Sequence, residues 1–184
     1  MESGFRPSSP IPGVDGLGRI NQYALVAYID GRLGEFLFRL RQEIVPTCKL
    51  RSHVSLLPPR PLHGTEAEAT QFLHDSMRHQ SAFQVTLGQI EVFPVTNVVY
   101  IAIAEGLADL HRTHGTLNDK ALQFAEPYPF HPHITLAQEI SETEHAAVHQ
   151  LCLARWSEYT GPRHFPVEVL TFVQNTSNAG WIDL

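Results

Sequence analysis

The chain has 184 residues, 43% of them hydrophobic and 17% charged, which suits one ordinary globular domain. Its net charge of −6, with Lys49 and Lys120 as the only lysines, argues against a broad surface that tracks the phosphates of a long duplex. No apolar run is long enough for a membrane-spanning helix, and the first residues lack the basic and apolar regions of a signal peptide. Cys48 and Cys152 stand far apart with no C-x-x-C pattern, so a reducing, cytoplasmic setting is expected.

Residues 1–20 are rich in Gly, Pro and Ser and are expected to form a mobile tail. Tyr23–Ile29 predicts a buried strand and Asp30-Gly31 a turn. Leu33, Phe36, Leu37, Leu40 and Ile44 recur at helical spacing, and Pro46 follows the helix end. Leu50–Leu57 alternates like a strand that Pro58-Pro59 should stop. A helix capped by Thr65 is predicted over Thr65–His79, then a strand over Phe83–Phe93.

The order then repeats. A strand is predicted over Val98–Ala104, a helix over Leu107–Leu122 and a strand over Tyr128–Ala137. A helix over Ser141–Trp156 opens on a Ser141/Glu144 capping box, and strands over Phe165–Val173 and Trp181–Asp183 close the chain. The pattern predicts one domain over residues 21–184, made of two lobes near 21–95 and 96–184 that could exchange their terminal strands.

Histidine followed two residues later by a hydroxyl occurs seven times, starting at His53, His63, His74, His79, His111, His114 and His133. The pattern alone therefore carries little. Only His53 and His133 precede a β-branched residue inside an alternating apolar run. Strand side chains at i and i+2 share a face. That puts His53 with Ser55 and Arg51, and His133 with Thr135 and His131, while Val54, Leu56, Ile134 and Leu136 face the other way. Two such strands facing each other would gather two imidazoles and two hydroxyls around a small anion. Two imidazoles, one neutral and one protonated, can take a proton from water and give one to a leaving alkoxide near neutral pH.

Arg51 and His131 are candidate substrate contacts, each with a non-functional role open beside it, and Tyr128 is a candidate stacking partner for a base. Phe130 reads as core, and His111, His114, His145 and His149 as solvated helix histidines. The i, i+4 pair His145 and His149 lacks a third ligand pattern, so no metal site is read.

The segments His53-Val54-Ser55-Leu56-Leu57-Pro58-Pro59 and Pro132-His133-Ile134-Thr135-Leu136-Ala137 resemble the 2H phosphoesterase superfamily. The resemblance is to its 2′-5′ RNA ligase / RNA 2′,3′-cyclic phosphodiesterase-like branch, over roughly residues 21–175. It implies a bilobal α+β fold: two antiparallel sheets related by pseudo-twofold symmetry, helices on the outer faces, a cleft between. It implies catalytic roles for His53 and His133, phosphate contacts from Ser55 and Thr135, and no metal or cofactor. The implied activity is opening of 2′,3′-cyclic phosphates, or action on 2′-5′ linkages, with ATP-independent ligation as its reverse. The expected partner is a small nucleotide or an RNA terminus, with no membrane and no obligate protein partner. A binding module with little turnover, or a phosphodiesterase for a non-RNA cyclic phosphate, are the alternatives. Two departures stand out: Gln138 where many relatives carry a basic residue, and Ser55 where many carry threonine.

Overall fold

The computed structural model describes residues 18–78, 80–178 and 180–184. The first half of the chain runs β1 (Arg19–Tyr28), α1 (Gly31–Ile44), β2 (His53–Arg60), α2 (Glu66–Met77) and β3 (Phe83–Val92). The second runs β4 (Val99–Glu105), α3 (Leu107–Leu117), β5 (His133–Ala137), α4 (Glu142–Glu158), β6 (His164–Val167), β7 (Thr171–Thr176) and β8 (Trp181–Asp183). The strands make two four-stranded antiparallel sheets, ordered β2-β1-β7-β8 and β5-β4-β3-β6. This is the α+β architecture expected. β2 and β5 are matching edges, and β1 and β4 are their matching neighbours. The third place in each sheet is filled from the other half of the chain, β7 beside β1 and β3 beside β4.

Each sheet buries one face deeply. In the first, Leu25, Ala27, Val54 and Leu56 join the main core, whereas Ala24, Val26 and Val173 form only a small cluster on the opposite face. Helix α1 contributes Leu33, Leu37 and Leu40 to the main core at helical spacing. It can approach closely because position 34 is glycine. A Cβ there would fall 1.7 Å from the Ile29 carbonyl oxygen. The Ser52 hydroxyl donates to the Gly34 carbonyl at 3.2 Å, tying α1 to the residue before His53. Helix α2 opens on a complete capping box between Thr65 and Glu68. No helix among the described residues is long and apolar enough to cross a membrane.

Several boundaries differ from the sequence expectations. Of the stretch expected to be a mobile tail, residues 1–17 lie outside the described residues, and β1 already begins at Arg19. β2 runs through Pro58 and Pro59 to Arg60, because it is an edge strand with one side free of a ladder. It begins at His53 rather than Leu50, and β5 begins at His133 rather than Tyr128. The strand expected over Phe165–Val173 is two strands in different sheets, β6 on β3 and β7 on β1. Helix α3 ends at Leu117, and a single 3₁₀ turn, Lys120–Leu122, follows. Ser141 does not form the expected capping box. Its hydroxyl donates to the Glu144 carboxylate at 2.6 Å instead of accepting from the helix backbone.

Candidate active site

The two histidine strands are built alike. Each starts on its histidine. Val54 and Leu56, like Ile134 and Leu136, are fully buried, while His53, Ser55, His133 and Thr135 are half-buried on the opposite face. Across the ladder, His53 pairs with Tyr28 and Ser55 with Val26, while His133 pairs with Ala102 and Thr135 with Tyr100.

The same hydrogen bond fixes both rings. His53 Nδ1 lies 2.7 Å from the Arg51 carbonyl oxygen, and His133 Nδ1 lies 2.7 Å from the His131 carbonyl oxygen. A carbonyl only accepts, so each Nδ1 carries the proton and each Nε2 keeps its lone pair in the neutral ring. His133 is also flanked edge-on by Phe93 and Tyr100, with ring centroids 5.0 and 5.2 Å away.

Both imidazoles are held below the ordinary histidine range. For His53 the main cause is burial, to which the Arg41 guanidinium and His133 add; the bond to the Arg51 carbonyl works against them. For His133 the main cause is again burial, with His131 adding and the bond to its carbonyl opposing. Both rings therefore favour the neutral form in the free protein. His133 contributes to the surroundings of His53 because β2 and β5 pack together where the two sheets meet.

A cavity of about 580 Å³ opens at this seam. Ser55, His133 and Thr135 line it, facing an apolar wall of Phe93, Val95, Pro127, Tyr128, Pro129 and Phe130. Among the described residues no lysine or arginine lines it. Of the residues expected at the site, His131 and Tyr128 also line the cavity, and Tyr128 is 58% exposed at its rim. His53 shares a strand face with Ser55 but is not itself among the lining residues. Arg51 is also outside the lining. Its guanidinium stacks on Tyr28 at 3.7 Å and pairs with Asp30 at 3.0 Å and Asp183 at 3.8 Å. To bind a phosphate it would have to leave those carboxylates.

The sequence reading missed the network that holds the apolar wall. Arg60 is 1% exposed, donates to Asn118 Oδ1 at 2.7 Å and the Leu122 carbonyl at 3.2 Å, and pairs with Glu126. Asn118 Oδ1 accepts from the Phe124 N–H at 2.8 Å, and its Nδ2 donates to the Phe124 carbonyl at 3.1 Å. His114 is not solvated. Its Nδ1 is 2.8 Å from the Leu56 carbonyl oxygen, and its ring stacks on Phe130 at 3.8 Å. These contacts fix residues 123–132, which have no regular structure of their own. Periodicity carries no trace of them, because Arg60 and Glu126 are far apart in the chain and both border prolines.

Two antiparallel sheets, each with a histidine-x-hydroxyl strand at its edge, define a bilobal 2H phosphoesterase architecture. A family model described as the 2′-5′ RNA ligase superfamily matches residues 39–179, and the chain belongs to that superfamily. A Bacillus pumilus protein whose name proposes a phosphoesterase is 27% identical over 130 residues, covering 69% of this chain and 75% of its own. The crystal structure of Escherichia coli LigT in its apo form matches with a TM-score of 0.60 at 18% identity, covering 90% of this chain and 95% of LigT. LigT has also been crystallised with 3′-AMP and with phosphate. Usb1 of Kluyveromyces marxianus matches with a TM-score of 0.55 at 13% identity, covering 89% of this chain and 97% of Usb1. At these identities the structural likeness is one of fold.

Proposed function

We propose that the protein is a phosphodiesterase that opens 2′,3′-cyclic phosphates, or acts on 2′-5′ linkages, at RNA ends or on small nucleotides, without a metal ion. Membership of a phosphoesterase family supports the general activity. The observation that carries the finer reading is the matched pair of half-sites. Each has a ring fixed through Nδ1 at 2.7 Å, a free Nε2, and a hydroxyl one step along the same strand face.

In this reading His53 is drawn as the base for hydrolysis and His133 as the acid, both rings being neutral in the free protein. Its Nε2 takes a proton from water, and the water oxygen attacks phosphorus. His133, protonated as the anion arrives, gives its Nε2 proton to the leaving ribose oxygen. The bond to the His131 carbonyl holds the ring and stabilises the cation while it lasts. Ser55 and Thr135 donate to the non-bridging oxygens, where charge builds in the transition state. In the reverse, ligating direction the two histidines exchange roles.

The cavity favours a small substrate. Its apolar wall offers faces for one base or sugar, and among the described residues no lysine or arginine lines it to follow a polyanionic chain. Tyr128, open at the rim, is the candidate stacking ring, and His131 the candidate neighbour of the phosphate. LigT crystallised with a mononucleotide is in keeping with this class of ligand.

The test is hydrolysis of 2′,3′-cyclic mononucleotides with and without EDTA. The expected result is EDTA-insensitive turnover with a bell-shaped pH profile, and near-complete loss in folded His53→Ala and His133→Ala variants. Turnover retained by either variant would refute the paired-histidine mechanism. Metal-dependent turnover, or binding with no turnover, would replace it with a different enzyme or with a binding module.

A further inference from the structure

We propose that Arg41 is the buried cation of this site, a guanidinium set behind His53 with no carboxylate partner, whose charge is completed by the phosphodiester anion. The inference rests on the proposed reading of the site and adds the group that balances its substrate's charge.

Arg41 lies on the inward stripe of α1 with Gly34 and Leu37, and it is 8% exposed. That stripe is anchored beside His53, since the Gly34 carbonyl accepts from Ser52, and α1 packs on β5. Helix α1 thus packs against β5 and against the residue before His53, and the Arg41 guanidinium lies close enough to His53 to disfavour its protonation.

A buried guanidinium is strongly disfavoured unless something pairs it. The chain contains its own control. Arg60, the other buried arginine, is satisfied by Glu126, Asn118 and the Leu122 and Pro58 carbonyls. Among the described residues Arg41 has no carboxylate within ion-pair distance, and its buried Nε has no acceptor. The fold thus keeps a largely buried guanidinium without a carboxylate among the described residues, on the helix that packs against β5 and near His53.

The rest of the site lacks that charge. Among the described residues no lysine or arginine lines the cavity, Arg51 is taken up by Asp30 and Asp183, and Gln138 follows β5 where a cation could have stood. Ser55 and Thr135 donate hydrogen bonds without net charge, and in the free protein both imidazoles are neutral. Arg41 supplies it from behind, as a positioning residue that acts through His53 and through its field on the phosphate.

The decisive experiment is an NMR titration of the isotope-labelled full-length protein with inorganic phosphate. It follows the Arg41 Nε–H signal together with the His53 and His133 imidazoles. All three are expected to shift with one dissociation constant. Arg41→Met should weaken phosphate binding about tenfold or more, with Arg41→Lys recovering most of it by restoring the charge. An Arg41 signal that stays still while the imidazoles shift would overturn the proposal and leave the proposed function standing. So would a folded Arg41→Met variant that binds phosphate like the wild type. If neither imidazole responds to phosphate, the proposed function and this inference fall together. If neither variant folds, the wild-type titration alone decides.

Discussion

Arg60→Met removes the centre of the network under the cavity wall while keeping an apolar stem of similar reach. The Arg60 side chain is fully buried and its partner Glu126 is 12% exposed, so the variant strands a carboxylate with little water to take it. It also strips donors from Asn118 and the Leu122 carbonyl. Breaking a buried pair in this way costs about 3–5 kcal/mol. For a domain of this size that corresponds to a fall in Tm of about 6–20 °C. Burial pushes the Arg60 guanidinium down even with Glu126 beside it, so desolvation outweighs the attraction within the pair. Removing both charges in Arg60→Met/Glu126→Leu should therefore restore most of the lost stability. Because the network holds residues 123–132, the single variant should also raise KM more than it lowers kcat. Denaturant and thermal unfolding of the three proteins, with steady-state kinetics, give the test. A single variant within about 1 kcal/mol of wild type, or a double variant no more stable than the single, would refute the reasoning.

Thr135→Val and Ser55→Ala each remove a hydroxyl that faces the cavity, and each is expected to lower kcat about 10²–10³-fold with Tm nearly unchanged. Single-turnover kinetics beside a melting curve check this, and equal kcat in either variant would exclude phosphate contact. Both site imidazoles are held below their unfolded value, so as pH falls below about 6.5 the unfolded chain takes up protons that the native state refuses. Stability contributed by these groups is thus present above that pH and falls as acid is added. Denaturation at pH 7.5 and 5.5 should show a smaller drop for a His53→Gln/His133→Gln double variant than for wild type. Gly34→Ala drives a methyl to 1.7 Å from the Ile29 carbonyl oxygen and should cost about 3 kcal/mol or more, read from urea unfolding.

The parts of this protein legible in its sequence are those with local causes. Alternation over Val54–Leu56 and Ile134–Leu136 revealed which faces are buried, and the same alternation put each hydroxyl beside its histidine. Thr65 announced the start of α2 because an N-cap is a contact between neighbours in sequence. What stayed hidden depends on distant pairing. The Pro58-Pro59 step reads as a stop until β2 is known to be an edge strand. Phe165–Val173 reads as one strand because periodicity cannot tell which sheet a residue joins. His114 reads as solvated because the Leu56 carbonyl and the Phe130 ring that occupy it come from other segments. Arg41 reads as one more charge on an amphipathic helix, and only burial without a partner sets it apart.

The strand exchange bears on how the two half-sites would act together in the proposed reaction. Each half supplies one histidine strand and its neighbour and sends a later strand into the other sheet, β3 to β4 and β7 to β1. Neither sheet is complete without the other half, so the two cannot separate without breaking a strand ladder. The seam where β2 meets β5 is therefore held by backbone hydrogen bonds on both sides rather than by a side-chain interface alone. That would matter for the proposed proton transfer, where an ångström of slack between base and acid is costly. An ordinary two-domain cleft would have to close to bring its two walls together; here the strand connectivity holds β2 against β5 without such a closure.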